Sequence, residues 1–97
     1  MGEPARLPDR VADLDGRVDE TLTMLRAAAV EQEMPISGDD RVGEACAAVL
    51  LGIECETLSK RRQEGKAPAS YRVPIGGAKV SYRLRDLAQW VEAQREN

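Results

Sequence analysis

Apolar residues fall into three blocks with different periods along the chain. Val11, Leu14, Val18, Leu22 and Leu25 recur at steps of three and four, the spacing that lines one stripe of an amphipathic helix. The pattern predicts a helix from about Arg10, with Asp9 offered as its cap, to about Glu33, and Gly16 weakens its first part by roughly 1 kcal/mol relative to alanine. Before it, residues 1–8 hold two prolines and no periodicity, the signature of a flexible leader. After it, residues 35–40 carry Pro35 and Gly38 and predict a linker that ends in Asp39 and Asp40, either of which could cap the next helix.

The second block, about Arg41 to Leu51, is rich in small residues: Ala45, Cys46, Ala47 and Ala48 sit among Val42, Val49, Leu50 and Leu51. Small side chains let another helix approach closely, as two steeply crossed helices require. Gly52 is suited to the positive φ of a tight turn, with Ile53 beneath it. A further helix runs from about Cys55 to Glu64 and stops at Gly65; Thr57 and Leu58 are its inward positions.

The third block alternates. A strand at residues 70–74, a turn at 75–77 containing Gly76 and Gly77, and a return strand at 78–83 form a hairpin. Val80 and Tyr82 share one face; Lys79, Ser81 and Arg83 share the other. A last helix starts near Arg85, with Leu87, Trp90 and Val91 toward the core. The expected fold is mainly α with a small β-hairpin: a winged helix-turn-helix at residues 41–97, preceded by the amphipathic helix at 9–34.

Composition sharpens this picture in two places. Phenylalanine is absent, and Tyr71, Tyr82 and Trp90, the three aromatic residues, lie in the last third, where Trp90 is expected to anchor the packing. The net charge of −3 conceals a division: residues 1–40 carry ten acids and four arginines, whereas 41–97 carry ten basic and seven acidic residues. Within Thr57 to Arg85, eight cations (Lys60, Arg61, Arg62, Lys66, Arg72, Lys79, Arg83 and Arg85) face Glu64 alone. Binding to nucleic acid depends on the local patch and not on the sum, and this patch coincides with the second helix and the hairpin. The reading is therefore a module that binds double-stranded DNA. Its contact residues are expected to be Glu56, Thr57, Lys60, Arg61 and Arg62 on the helix, with Arg72, Lys79 and Arg83 on the wing and Gly76 and Gly77 at the wing turn.

Other chemistry is not suggested. Cys46 and Cys55 lack CxxC spacing and there is no histidine, so no zinc site is expected; Cys46 reads as a small interior residue, and Cys55, near a helix start, as tolerated packing or a redox-sensitive thiol. Nothing in the sequence supplies a catalytic base, nucleophile or phosphate loop, and no cofactor or catalytic residue is expected. No apolar run approaches the roughly 20 residues of a bilayer span, and the N-terminus lacks a signal peptide's apolar segment, so a cytoplasmic protein is expected. The Val11, Leu14, Val18, Leu22 and Leu25 stripe must be covered by its own domain, by self-association or by a protein partner.

Taken in order, Ala47-Ala48-Val49-Leu50-Leu51-Gly52-Ile53, Thr57-Leu58, Glu64-Gly65, Tyr82-Arg83, Asp86-Leu87 and Trp90 resemble the winged helix-turn-helix proteins of the excisionase type, related to the DNA-binding head of MerR-like regulators. The resemblance covers about Val42 to Ala93. It departs at Glu54, where a serine helix cap is favoured, at Cys55 and Glu56, where proline and arginine are frequent, and at Arg61, where tryptophan is common. The family implies a recombination directionality factor that binds repeats at an attachment site, bends the DNA and acts with an integrase. A stand-alone transcription regulator would use the same helix and wing. An adaptor that binds protein through the acidic helix, such as a phage packaging subunit, is the alternative from another class.

Overall fold

The computed structural model of the chain describes residues 9–75 and 77–95, without the side chains of residues 9–15 and 95. The expected leader, Gly76 at the wing turn, and the side chains of Asp9, Val11 and Leu14 lie outside the described residues. In chain order the elements are α1 (Asp9–Glu31), β1 (Arg41–Gly43), α2 (Glu44–Leu51), α3 (Cys55–Gln63), β2 (Ser81–Arg83) and α4 (Leu84–Arg95). The fold is mainly helical with a small antiparallel β element, a winged helix-turn-helix arrangement preceded by the amphipathic helix.

From Val18 onward, the amphipathic stripe of α1 is covered from within the chain. Val18 and Leu25 are buried and Leu22 is partly buried, joined by Thr21 and Ala29, and α1 packs chiefly on α4. From α4, Leu84, Leu87, Ala88 and Glu92 are buried. Glu92 is 0% exposed; Thr21 Oγ1 donates to its Oε2 at 2.6 Å, and Arg17 Nε lies 3.4 Å from its Oε1. This interhelical carboxylate adds a polar tie between the amphipathic helix and the winged domain to the packing of Val18, Leu22 and Leu25. α1 stops two residues short of Glu33: Glu33 adopts the left-handed conformation (φ 56°), with its N–H bonded to Val30 and that of Met34 to Ala29, ahead of Pro35.

The segment expected as a linker is a tied turn. The Ser37 N–H donates to the Arg41 carbonyl and the Ser37 Oγ accepts from the Arg41 N–H, while the Asp40 carbonyl, in a residue at φ 64°, accepts from the Leu84 N–H at 2.8 Å. Neither aspartate caps a helix, because residues 41–43 are not helical. Arg41, Val42 and Gly43 pair with Arg83, Tyr82 and Ser81 in an antiparallel ladder, and β-branched Val42 is fully buried there. α2 therefore begins at Glu44 with Gly43 as N-cap. Gly43 is forced by space: a Cβ there would lie 2.7 Å from Ala78 Cβ, where the wing crosses the helix start.

Gly52 (φ 76°) closes α2, its N–H reaching the Ala48 and Val49 carbonyls, and Gly65 (φ 74°) follows α3, as the sequence predicts. The wing is looser than the expected hairpin. Among the described residues of the wing only Ser81–Arg83 forms a regular strand; the outer segment contributes single bridges, Tyr71 to Ser81 and Ile75 to Ala78. Pro74 has no N–H to give to a ladder, and the Val73 carbonyl accepts from Arg41, so the outer strand does not propagate. Ser81, expected on the outer face, is buried between β1 and Tyr71 and accepts from Arg41 Nη1 at 2.8 Å.

The core centres on Tyr82, Leu58, Leu84, Leu87 and Val42. Trp90, expected to anchor it, is only half-buried. On a helix of 3.6 residues per turn, Trp90 sits about a sixth of a turn beyond Leu87, away from the Leu84, Ala88 and Glu92 side. Cys46 is half-buried against the core and Cys55 is exposed. Among the described residues no helix is long and apolar enough to cross a membrane.

Candidate nucleic-acid interface

The chemistry of this region begins with how α3 distributes its side chains. Leu58 faces inward and is fully buried. Each residue advances about 100° around a helix, so Lys60, Arg61 and Arg62 fan across more than half its circumference and cannot share a face. Lys60 is exposed on the outward side with Glu56 and Gln63, flanked by half-buried Thr57 and Ser59 and exposed Glu64. Arg61, expected beside Lys60, is half-buried on the opposite edge, where it lines an open depression with Lys66, Trp90 and Gln94.

Arg62 is turned toward the wing root and occupied. Its Nε donates to Glu44 Oε2 at 2.7 Å and its Nη2 to Glu44 Oε1 at 3.3 Å and Ser59 Oγ at 3.2 Å. Tyr82 completes the cluster by donating its hydroxyl to Glu44 Oε2 at 2.8 Å. Burial opposes ionisation of Glu44, but the hydrogen bonds from Arg62 and Tyr82 and the charge of Arg62 outweigh it and hold the carboxyl below its ordinary value. Burial first, then the bond to Glu44 and its charge, push the Tyr82 phenol up. The Glu44 bond pushes Arg62 up as well. The first residue of α2, the last turn of α3 and the centre of β2 are thereby locked together, with the Glu44 N–H bonded to the Val80 carbonyl in the wing. The sequence offered no signal for this cluster, since its members lie 18 and 38 residues from Glu44.

The wing has its own polar scaffold. Arg41 Nε reaches both oxygens of Asp39 at 3.0 and 2.9 Å, and its Nη1 reaches Ser81 and the Val73 carbonyl. The bond from Arg41, then that from Ser37, hold Asp39 down at about 2. Tyr71 donates to Asp86 Oδ2 at 3.1 Å, and the Arg83 guanidinium stacks 5.0 Å from the centre of the Tyr71 ring. Arg83, Arg72, Lys79 and Gly77 are exposed.

Two of the eight cations in the helix-and-wing segment are spent internally: Arg62 on Glu44, and Arg85 on Asp19 of α1 at 3.1 Å. The other six make no ion pair among the described residues. Lys60, Arg72, Lys79 and Arg83 are exposed on the helix and wing; Arg61 and Lys66 lie on the α4 side. Among the described residues no group of three or more potential metal ligands comes together. Comparison of the chain with known protein families, curated proteins and solved structures finds no match.

Proposed function

We propose that this protein binds double-stranded DNA sequence-specifically, with the outward face of α3 in the major groove and the wing along the adjacent backbone or minor groove. The observation that carries this reading is the set of exposed cations without an ion pair among the described residues, Lys60 on α3 and Arg72, Lys79 and Arg83 on the wing, held on elements clamped to each other through Glu44, Arg62 and Tyr82. Phosphate neutralisation needs such cations, and groove reading needs a rigid helix with polar side chains outward. The exposed acids of α1, Asp19, Glu20 and Glu31, would be repelled by phosphates, which supports DNA contact through the other end of the sequence.

The biological role proposed is that of a cytoplasmic recombination directionality factor, supported by the resemblance of residues 42–93 to excisionases. Several copies occupy neighbouring direct repeats beside an attachment site, share the bending cost of about 1 to 6 kcal/mol, and bias an integrase toward excision. Titration of duplexes containing DNA that flanks the gene, at several salt concentrations, tests the binding. Affinity should fall steeply with salt, and absence of binding to every duplex at low salt rejects the proposal. Protection mapping tests the role: direct repeats with curved DNA support it, whereas one two-fold dimer on an inverted repeat at a promoter, with straight DNA, makes the protein a transcription regulator.

A further inference from the structure

The outward face of α3 carries a carboxylate and an ammonium group one helical turn apart, Glu56 and Lys60, both exposed, with no ion pair between them. Glu and Lys at this spacing and in this order are the arrangement that ordinarily pairs on a helix surface. Here the two charges stand open side by side, with Gln63 on the same face and the neighbouring arginines turned to the two edges. A bare carboxylate on a surface that meets phosphates weakens binding to every sequence unless a donor on the DNA satisfies it.

Resting on the DNA-binding reading above, we infer that Glu56 and Lys60 are the base readers of this protein, and that its site contains a cytosine opposite Glu56 and a guanine opposite Lys60. The major-groove edges decide the assignment. Guanine offers acceptors at N7 and O6, and thymine an acceptor and a methyl group; both repel a carboxylate. Donors come from cytosine N4 and adenine N6, and adenine places its N7 acceptor beside the donor, so an acceptor-only carboxylate selects cytosine. Lys60 is the complement, three donors and no acceptor, matched to guanine O6 and N7.

The spacing is compatible with both contacts at once. Four residues of helix rise about 6 Å, close to two base-pair steps of about 3.4 Å, so the two readers address positions roughly two base pairs apart. Glu56 lies in the first turn of α3, the end of a recognition helix that enters the groove first. Arg62 does not read bases, because its guanidinium is committed to Glu44 and Ser59.

The test is selection from a random double-stranded library at one fixed salt concentration, with the full chain and its Glu56→Gln, Glu56→Ala and Lys60→Ala variants. All three changes are at exposed positions; circular dichroism and melting confirm that each variant is folded. The wild-type protein should enrich cytosine at one position and guanine about two base pairs away. Glu56→Gln should move the first preference to adenine, whose donor and acceptor a carboxamide matches, leaving the second intact. Glu56→Ala should lose discrimination at the first position alone, and Lys60→Ala at the second alone, each by about fivefold to a hundredfold. If Glu56→Ala keeps the wild-type ranking, or tightens binding to all duplexes equally, Glu56 reads nothing and the inference falls while DNA binding stands. If the wild-type protein enriches no duplex, the DNA-binding reading falls and this inference with it.

Discussion

Replacing Glu44 by alanine tests whether the Glu44, Arg62 and Tyr82 cluster is the clamp that holds α2, α3 and the wing in register. The change strands two groups. The Tyr82 hydroxyl belongs to a residue with 0% exposure, and leaving such a donor unmet costs about 1–3 kcal/mol. The Arg62 side chain is 21% exposed and can rehydrate in part, so the lost ion pair adds only about 1 kcal/mol. The sum is roughly 2–4 kcal/mol, a large share of the 5–15 kcal/mol that stabilises a typical domain. For a chain of this size that lowers Tm by roughly 10–25 °C. Urea and thermal denaturation followed by circular dichroism measure it. Tyr82→Phe, which keeps the ring and removes the donor, should cost about 1 kcal/mol. The double variant should cost less than the two singles together by at least about 0.5 kcal/mol, because the stranded hydroxyl is gone. The pH dependence has a definite sign. The Glu44 carboxyl is held below its ordinary 4.5 in the folded state, so its contribution is complete above that value and is lost as pH falls through the folded one. The stability gap between wild type and Glu44→Ala should be full at neutral pH and close in acid. A Glu44→Ala protein within about 0.5 kcal/mol of wild type at neutral pH, or strict additivity with Tyr82→Phe, would refute the clamp.

Gly43→Ala should destabilise by about 1–3 kcal/mol, since its Cβ would lie 2.7 Å from Ala78 Cβ, and adding Ala78→Gly should restore most of the loss in the same denaturation assay. Lys79→Ala should weaken binding to all duplexes alike and reduce the slope of log affinity against log salt by roughly one unit; a changed sequence preference at constant slope would mean that the wing reads bases. Thr21→Val removes the donor to the fully buried Glu92 and should cost about 1–3 kcal/mol in urea denaturation, while a chain that begins at Asp39, having lost α1, the main packing partner of α4, should unfold without a cooperative transition.

Much of the architecture was legible in the chain because its signals are local. The three- and four-residue recurrence that includes Val18, Leu22 and Leu25 specifies a helix and its buried stripe, since side chains at that spacing share a face whatever lies opposite. Gly52 and Gly65 announce the ends of α2 and α3 because a left-handed residue is needed there and glycine adopts it without strain. The cationic bias of the helix-and-wing segment could likewise be read directly. What covers the stripe of α1 could not: that α4 does so, with Glu92 buried between them, depends on a contact 71 residues apart in sequence. The start of α2 was misplaced for the same reason. Arg41 to Gly43 read locally as helix, yet their backbone bonds go to Ser81–Arg83, and the gain from pairing and burying Val42 exceeds a weak local preference. Tertiary structure also decided which cations remain available. Charge counting ranks Lys60, Arg61 and Arg62 equally, but helix geometry sends them to three sides, and only folding brings Glu44 and Tyr82 to Arg62 and Asp19 to Arg85. Periodicity specifies a face; what meets that face is specified by residues far away in the chain.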